Sequence, residues 1–223
     1  MKIKALVPMK DTSQRVPMKN YRPFANGKPL FVHIINTLLV CENISEIYIN
    51  TDSKIIIEYC KNSFPEIHLI NRPEHLVNGD IPMNQIINYD LNNIDGQFFL
   101  QTHSTNPLVN AATFDKAVKL FLDNFPKHDS LFSVNKFQTR LWDKKGKAVN
   151  HDKDILLNTQ DLDPLFEENS CIYIFEKESF FENKNRIGKN PLIFEIDKFE
   201  SVDIDEEIDF ITAEQMYQYF KTK

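Results

Sequence analysis

Short apolar runs alternate with longer amphipathic stretches along the first 134 residues of the chain. The short runs are rich in Ile, Val, Leu and Phe, which is typical of buried β-strands. Five strands are predicted, at Ile3–Pro8, Glu46–Thr51, His68–Asn71, Gln97–Gln101 and Ser130–Val134. Four helices are predicted between them, at Pro29–Cys41, Ser53–Lys61, Met83–Tyr89 and Ala111–Asn124. Repeated strand–helix–strand units indicate right-handed crossovers and a mainly parallel sheet with helices on both faces.

This alternation is interrupted by residues 137–168, which are polar, contain turn signals and are too long for an ordinary connection. We expect this excursion to cover a site or to reach a partner subunit. Regular patterns then resume, with strands at Cys171–Phe175, Leu192–Ile196 and Ser201–Ile204 and a helix from about Glu206 to Phe220. No linker, repeat or low-complexity tract divides the chain. We therefore predict an α/β fold, a single Rossmann-like three-layer α/β/α domain over residues 1–223.

Composition narrows the class of protein. Apolar residues make up 42% of the 223 residues, which is enough for a substantial core. The net charge of −6 argues against nucleic-acid binding, although one nucleotide needs only a few well-placed cations. The longest apolar stretch, Phe31–Cys41, is too short to span a membrane. The widely spaced Cys41, Cys60 and Cys171 indicate buried, reduced thiols, which is typical of a cytoplasmic protein. Together with the charge and the short apolar stretch, they lead us to expect a cytoplasmic protein that binds neither nucleic acid nor membranes.

The first candidate for chemistry is the basic segment Met9–Asn20, directly after the first strand. Ligands of open α/β sheets bind beyond the carboxyl ends of the strands. The segment contains the cations Lys10, Arg15 and Lys19 and hydroxyls such as Ser13, which together suit a triphosphate. It contains no glycine, so it is neither a Walker loop nor a dinucleotide fingerprint. A solvated loop that happens to be basic is the alternative.

The second candidate is the acidic segment Ser201–Asp205, before the last helix. If it is a strand, Asp203 and Asp205 share one face while Val202 and Ile204 face the core. Two carboxylates on one face suit Mg²⁺, which prefers hard oxygen ligands shared with substrate phosphates. In the alternative, Asp205 caps the helix and the following acids complement its dipole. That alternative leaves Asp203 unexplained.

Two more polar segments follow predicted strands. Gln101–Pro107 is dense in neutral donors and acceptors, which suits a sugar or a base, although ordinary turns have the same composition. Arg72 follows the third strand, and Asn84 can present both a donor and an acceptor, as recognition of a base edge requires. A surface salt bridge from Arg72 to Glu74 or Asp80 is the alternative.

Taken together, these segments resemble the acylneuraminate cytidylyltransferase family (CMP-sialic-acid synthetases), with the ketodeoxyoctonate cytidylyltransferases as more distant relatives. Each motif is weak alone, but their common order over nearly the whole chain makes the resemblance specific. The matching segments are Val7–Asn20, Asn50–Asp52, Leu100–Gln101, Asp129–Val134, Glu168–Ile174 and Ser201–Asp205.

The resemblance implies an enzyme that joins CMP from CTP to an acidic, sialic-acid-like nine-carbon sugar, a 2-keto-3-deoxy acid. It implies Mg²⁺ or Mn²⁺ on Asp203 and Asp205, with Lys19 as the third catalytic residue. The implied sugar contacts include Gln101 and Asn169. The implied nucleotide-binding residues are Lys10, Ser13, Arg15, Asn20, Arg72, Asp80 and Asn84. Family members are homodimers in which an excursion enters the neighbour's site, and residues 137–168 correspond to it.

The chain departs from the family pattern in two places. Lys10 stands where an arginine is usual, and Thr105–Val109 lacks the arginine that ends the family's loop. Arg140 and Gln160 are candidates for the missing contacts to the sugar's carboxylate and hydroxyls. The same reaction on legionaminate, pseudaminate or ketodeoxyoctonate is one alternative. A metal-dependent glycosyltransferase with an Asp-x-Asp motif and an inactive nucleotide-binding protein are two others.

Overall fold

The computed structural model describes residues 1–77 and 81–221, which form a seven-stranded sheet, a two-stranded ribbon and six α-helices. The strands are β1 Ile3–Leu6, β2 Pro23–Phe24, β3 Lys28–Pro29, β4 Ile44–Thr51, β5 His68–Asn71, β6 Phe98–Gln101, β7 Ser130–Phe137, β8 Leu165–Glu176 and β9 Pro191–Glu195. The helices are α1 Leu30–Leu39, α2 Lys54–Ser63, α3 Met83–Asn93, α4 Ala111–Asn124, α5 Lys177–Asn183 and α6 Glu207–Lys221. Short 3₁₀ turns lie at Glu74–Leu76 and Thr159–Asp161.

The large sheet has the strand order β5-β4-β1-β6-β8-β7-β9. Strand β8 is antiparallel to both of its neighbours, whereas the other adjacent pairs are parallel. Every strand of this sheet except β8 therefore ends at the same edge, which we call the carboxyl edge. The predicted mainly parallel sheet is confirmed.

Two apolar clusters lie on opposite faces of the sheet. Because side chains alternate along a strand, neighbouring residues belong to different clusters. Leu6 and Phe99 pack with residues of α3 and α5. Ala5 and Leu100 pack in the other cluster, with residues of α1, α2 and α4. The result is the predicted arrangement of helices, sheet and helices in three layers.

Local sequence determines where several helices begin. Pro29, with φ −53°, directly precedes α1. The Ser53 hydroxyl accepts a hydrogen bond from the Ile56 amide at 3.5 Å, and the Asn110 side chain accepts one from the Thr113 amide at 2.9 Å. Such side chains satisfy amides that the first helical turn leaves free. These start signals explain why α2 and α4 begin within a residue of their predicted starts.

The predicted strand at Ser201–Ile204 is wrong. The amides of Glu200 and Ser201 bond back to the Asp197 carbonyl at 3.0 and 3.1 Å, which makes a turn after β9. The chain then crosses the carboxyl edge, where the Ile204 amide donates to the Thr105 carbonyl at 2.9 Å. The segment thus crosses the strand ends, and among the described residues it pairs with no strand.

The excursion begins and ends within longer strands than predicted. Strands β7 and β8 continue as an antiparallel pair as far as Phe137 opposite Leu165. Between them the chain folds on itself, with a bridge from Trp142 to Ala148. Three consecutive apolar side chains, Ile155–Leu157, are exposed, and Leu156 is 89% exposed. Such a run is unusual on the surface of an isolated subunit.

The cysteines behave as the sequence predicts. Cys41, Cys60 and Cys171 are buried and form no disulfide. Burial raises the pKa of the Cys41 thiol to about 12 and that of Cys60 to about 11, which makes both groups unreactive at neutral pH. Among the helices of the described residues, none is long and apolar enough to cross a membrane.

Candidate active site

A cleft of about 560 Å³ opens at the carboxyl edge of the sheet. Loops that follow β1, β5, β6 and β9 meet there, as expected for the carboxyl ends of parallel strands. The predicted site residues that line this cleft are Lys10, Ser13, Arg15, Lys19, Asn20, Arg72, Asp203 and Asp205. The structure therefore brings together residues from both ends of the chain.

The basic loop after β1 is held in shape by its own side chains. The side-chain Nδ2 of Asn20 donates to the Lys10 backbone carbonyl at 2.7 Å, and its Oδ1 accepts from the Ser104 hydroxyl at 2.7 Å. The Ser13 hydroxyl accepts from the Val16 amide at 3.4 Å. Asn20 and Ser13, predicted to contact the nucleotide, thus also brace the loop that presents the cations.

An apolar cluster explains how the basic loop and the acidic segment meet. Val16 of the loop and Ile204 of the acidic segment are both buried in it. Phe24, before α1, and Phe210, in α6, lie in the same cluster, with ring centroids 5.4 Å apart. Burial of these side chains fixes residues from opposite ends of the sequence at the same side of the cleft.

Within the cleft, cations of the loop surround one carboxylate. The Asp205 carboxylate lies 2.7 Å from Arg15 Nη2 and 3.7 Å from Lys19 Nζ. Lys19 Nζ also donates to the Ile204 carbonyl. Burial lowers the pKa of Lys19, and the negative charge of Asp205 opposes this shift. The carboxylate does not cap α6, because Asp209 accepts from the amides of Asp205 and Glu206 instead.

Asp203 is the more enclosed of the two aspartates. One of its oxygens, Oδ1, is buried and has no hydrogen-bond partner. Burial raises the pKa of this carboxyl group, and a hydrogen bond with Thr105 partly opposes the shift. A buried oxygen without a donor is a costly arrangement unless a ligand or cation contacts it.

These two aspartates fit a Mg²⁺ ion that is shared with a substrate. Among the described residues, no group of three or more His, Cys, Asp or Glu side chains could hold a metal by itself. Mg²⁺ commonly takes one or two carboxylates and completes its shell with water and phosphate oxygens. The unpartnered Oδ1 of Asp203 and the nearby Asp205 supply that kind of donor set.

Arg72 is buried, and among the described residues it forms no salt bridge with Glu74, whereas Asp80 lies outside those residues. Its Nε donates to Asn50 Oδ1 at 2.7 Å, and Nη2 donates to the Met9 and Asn50 carbonyls at 3.3 and 3.0 Å. Asn50 in turn donates to Asp90 Oδ1 at 2.5 Å. Burial lowers the pKa of Arg72, and the charges of Asp52 and Asp90 oppose the shift. The guanidinium is thus fixed at the wall of the cleft.

Asn84, which the sequence predicts to contact the nucleotide, does not line the cleft. Asn84 donates to Asn185 Oδ1 at 3.1 Å and lines a separate depression, while Met83 and Ile86 of the same helix line the cleft. Asp80 lies outside the described residues.

The residues predicted to contact the sugar lie in three different parts of the structure. Gln101 is buried beneath the cleft, where its Nε2 lies 2.9 Å from His103 Nε2. Asn169 joins β7 to β8, because it accepts from the Ser133 hydroxyl at 2.6 Å and donates to Asn135 at 2.9 Å. Arg140, which is half-buried, and Gln160, which is exposed, lie in the excursion and do not line this cleft.

Sequence reasoning missed Arg186, a partly buried cation that lines the cleft. Its guanidinium lies 3.5 Å from the centroid of the Tyr173 ring and donates from Nη1 to Gln101 Oε1. Because β8 is antiparallel, α5 starts at the opposite edge of the sheet and runs towards the carboxyl edge. A search restricted to residues just after strands therefore passes over the loop that follows α5.

Comparison with known proteins places these features in context. A family model described as cytidylyltransferase matches residues 4–222. An N-acylneuraminate cytidylyltransferase of Streptococcus agalactiae serotype V is 25% identical over 229 residues, covering 95% of this chain and 52% of that protein. The CMP-N,N'-diacetyllegionaminic acid synthase of Legionella pneumophila is 26% identical, covering 98% of this chain and 97% of that protein. The chain thus spans about half the length of the streptococcal relative.

Solved structures share the fold. A CMP:2-keto-3-deoxy-manno-octonic acid synthetase complexed with CTP has a TM-score of 0.73 at 11% identity, covering 99% of this chain and 100% of that one. A 4-diphosphocytidyl-2C-methyl-D-erythritol synthase from Anaerococcus prevotii has a TM-score of 0.70 at 12% identity, covering 97% and 96%.

Proposed function

This chain belongs to the cytidylyltransferase family, and we propose that it transfers CMP from CTP to a sialic-acid-like nonulosonic acid, an acidic 2-keto-3-deoxy sugar. One observation carries the proposal: a single cleft contains the basic loop after β1 and the two aspartates before α6. Cations suit a triphosphate, and carboxylates suit the metal that accompanies it. Residues from the two ends of the chain supply both halves of that requirement.

The basic loop binds the triphosphate. Lys10 and Arg15 line the cleft with Ser13, so charge and directional donors face the phosphates together. Lys19 is largely buried, with 13% of its side chain exposed, which strengthens its interaction with a nearby anion. Lys19 stabilises the negative charge that develops on the departing pyrophosphate.

The reaction is a direct displacement. The anomeric hydroxyl oxygen of the sugar acid bonds to the α-phosphorus of CTP, and the bond from that phosphorus to the bridging oxygen breaks. Pyrophosphate leaves, and the hydroxyl proton passes to Asp203. Asp203 suits this role by its position, because it lines the same cleft as the loop that binds the triphosphate.

Asp203 and Asp205 would hold Mg²⁺, or Mn²⁺ in its place. When bound, such an ion neutralises phosphate charge and orients the attacking oxygen. Asp205 also pairs with Arg15 and Lys19, so it couples the position of the basic loop to that of the acidic segment.

Arg72 forms the wall against which the cytosine base lies. Its contacts with Asn50 and the Met9 carbonyl hold the guanidinium in one orientation. Met83 and Ile86 add apolar surface to the same cleft, which suits the face of a planar base.

The acceptor is a nine-carbon sugar acid in this proposal. The sequence relatives are named for acylneuraminate and diacetyllegionaminic acid, which favours a nine-carbon acid. Ketodeoxyoctonate is the second candidate, because the synthetase that acts on it shares this fold along the full chain.

A homodimer and a cytoplasmic location complete the proposal. The exposed apolar side chains Ile155–Leu157 give the excursion a surface suited to a second copy of the chain. In such a dimer, Arg140 and Gln160 of the excursion would reach the partner's cleft. The cytoplasm supplies CTP and keeps the three thiols reduced.

The test is pyrophosphate release from CTP and Mg²⁺ with a panel of nonulosonic and octulosonic acids. We expect release with one acid or a few related acids, and none after a chelator is added. Release with neutral sugars, or no release despite measurable CTP binding, would contradict the proposal.

A further inference from the structure

Arg186 is a cation of the cleft that the mechanism above does not use. Among the described residues, no carboxylate forms an ion pair with its guanidinium. Burial lowers the pKa of Arg186, and Tyr173 and the negative charge of Glu168 oppose the shift. The guanidinium is therefore partly removed from water with no carboxylate in direct contact, and an anionic ligand would relieve that cost.

The guanidinium is held ready for a ligand. It stacks on the Tyr173 ring at 3.5 Å from the centroid, and its Nη1 donates to Gln101 Oε1. The Tyr173 hydroxyl donates to Glu168, so this carboxylate contacts the tyrosine and not the arginine. Stacking and one hydrogen bond fix the plane of the guanidinium and leave further N–H donors for a second partner.

The loop that carries Arg186 is anchored at its other end. The Asp129 carboxylate accepts from the amides of Lys189 and Asn190 at 2.8 and 3.1 Å. The Gly188 amide donates to the Ser130 hydroxyl at 2.8 Å. A side chain at position 188 would place its Cβ 2.4 Å from the Asp129 carboxylate. The position of Arg186 is thus fixed by packing, which lowers the entropic cost of binding.

Gln101 and His103, which lie beside Arg186, are both neutral. Burial, with the charges of Arg186 and Lys19, lowers the pKa of His103 to about 3, so the imidazole stays neutral. Gln101 contacts both Arg186 and His103. This part of the cleft therefore combines one fixed positive charge with neutral hydrogen-bonding groups, as a carboxylate flanked by hydroxyls requires.

We propose that Arg186 binds the carboxylate of the acceptor sugar and so determines that the acceptor is an acid. The inference rests on the proposed function and names the residue that selects its substrate class. A guanidinium matches the geometry of a carboxylate through paired N–H donors. Arg186 would then supply the contact for which Arg140 is the sequence-based candidate.

The first experiment separates the acceptor from the nucleotide. Steady-state pyrophosphate release is measured for the wild type and for Arg186→Met and Arg186→Lys. We expect the methionine variant to raise the KM for the acid by about 10- to 100-fold, with the KM for CTP within about threefold. Lysine should give an intermediate KM, because an ammonium group keeps the charge without the planar pair of donors.

Two further variants control this result. Lys189→Met removes a cation of the same loop that lies exposed beside Glu182, and we expect unchanged kinetics. Arg140→Met tests the rival contact in the excursion. A raised KM for the acid in Arg140→Met, together with an unchanged value in Arg186→Met, would overturn the inference.

The second experiment does not depend on turnover. Thermal stability is measured in the presence of CMP and one sugar acid: N-acetylneuraminate, diacetyllegionaminate or ketodeoxyoctonate. The stabilisation by each acid is compared with the stabilisation by its neutral methyl ester. We expect at least one acid to stabilise the wild type more than its ester, and Arg186→Met to respond equally to both. If the difference persists in Arg186→Met, or if no acid stabilises the wild type, the inference is wrong. If an acid binds through Arg186 but none yields pyrophosphate with CTP and Mg²⁺, the proposed function fails, and Arg186 remains a carboxylate-binding residue without a role in selecting an acceptor.

Discussion

At the scale of single residues, Asp205 is the carboxylate that contacts two cations of the basic loop. Its carboxylate contacts Arg15 and Lys19, and half of its side chain is exposed. We expect Asp205→Asn to lower kcat by about 10²- to 10³-fold, because the variant loses a proposed metal ligand and a partner of the basic loop. The free energy of unfolding should change by only about 0.5 kcal/mol, as for other partly exposed positions.

Pyrophosphate release and chemical unfolding of the purified variant measure the two effects. Glu207→Gln is the matched control, because Glu207 is a neighbouring half-exposed acid that pairs with Arg22 outside the cleft. A near-normal kcat in Asp205→Asn would remove Asp205 from the proposed metal site.

Asp90 is a second informative residue, because it is buried and ionisable. Burial raises the pKa of its carboxyl group to about 7, although Asn50 and Arg72 oppose the shift. An unfolded aspartate loses its proton near pH ~4. Between these values the folded state holds a proton that the unfolded state has released, so the free energy of unfolding falls as pH rises from about 4 to 7.

Across that interval, we expect the free energy of unfolding to fall further in the wild type than in Asp90→Asn. The difference between the two proteins should be on the order of 3 kcal/mol. Urea unfolding of both proteins at several pH values between 4.5 and 7.5 measures the difference. Parallel curves for the two proteins would mean that Asp90 is already ionised in the folded state.

At the scale of elements, the direction of β8 decides what reaches the cleft. Strand β8 is antiparallel, so α5 runs towards the carboxyl edge and the loop after it carries Arg186 to the site. We expect Gly188→Ala to lower the free energy of unfolding by about 1–3 kcal/mol, because the new Cβ would collide with the Asp129 carboxylate. The displaced loop should also raise the KM for the acid.

Chemical unfolding and the kinetics of both substrates measure these effects. Lys189→Ala, at the exposed neighbouring position, is the control and should leave both unchanged. Full stability in Gly188→Ala would show that the loop can move away from Asp129 at little cost.

At the scale of the whole molecule, the excursion is the surface on which the proposed dimer depends. Leu156 is 89% exposed, so its replacement should not disturb the folded subunit. We expect the wild type to sediment as a dimer and Leu156→Asp to sediment largely as a monomer, because a charge would be buried in the interface. Val40→Asp changes another exposed apolar residue, 70% exposed at the end of α1, and should stay dimeric.

The kinetics of Leu156→Asp extend this test. If Arg140 of one subunit reaches the partner's cleft, the monomer should show a raised KM for the acid. A wild type that is monomeric at all concentrations would remove the excursion's role in dimerisation.

Much of this architecture was determined by the sequence itself. Alternation of apolar runs predicted the strands of the large sheet, Ser53 predicted the start of α2, and amphipathic periodicity predicted α4, because such patterns act over a few residues. The same logic pointed to Lys10, Arg15 and Lys19, since they follow a strand whose end lies at the site. The two aspartates were identified from their spacing on a predicted strand that does not form. The family motifs lie in these segments.

Only the tertiary structure decided which of these groups meet. Asp203 and Asp205 reach the basic loop through burial of Ile204 with Val16, and not through the predicted strand. Asn84 contacts Asn185 outside the cleft, and Arg186 enters from a helix whose direction depends on an antiparallel strand. The physical reason is the distance along the sequence over which each influence acts. Local patterns specify which side chains are buried, whereas strand direction and packing specify their neighbours from distant parts of the chain.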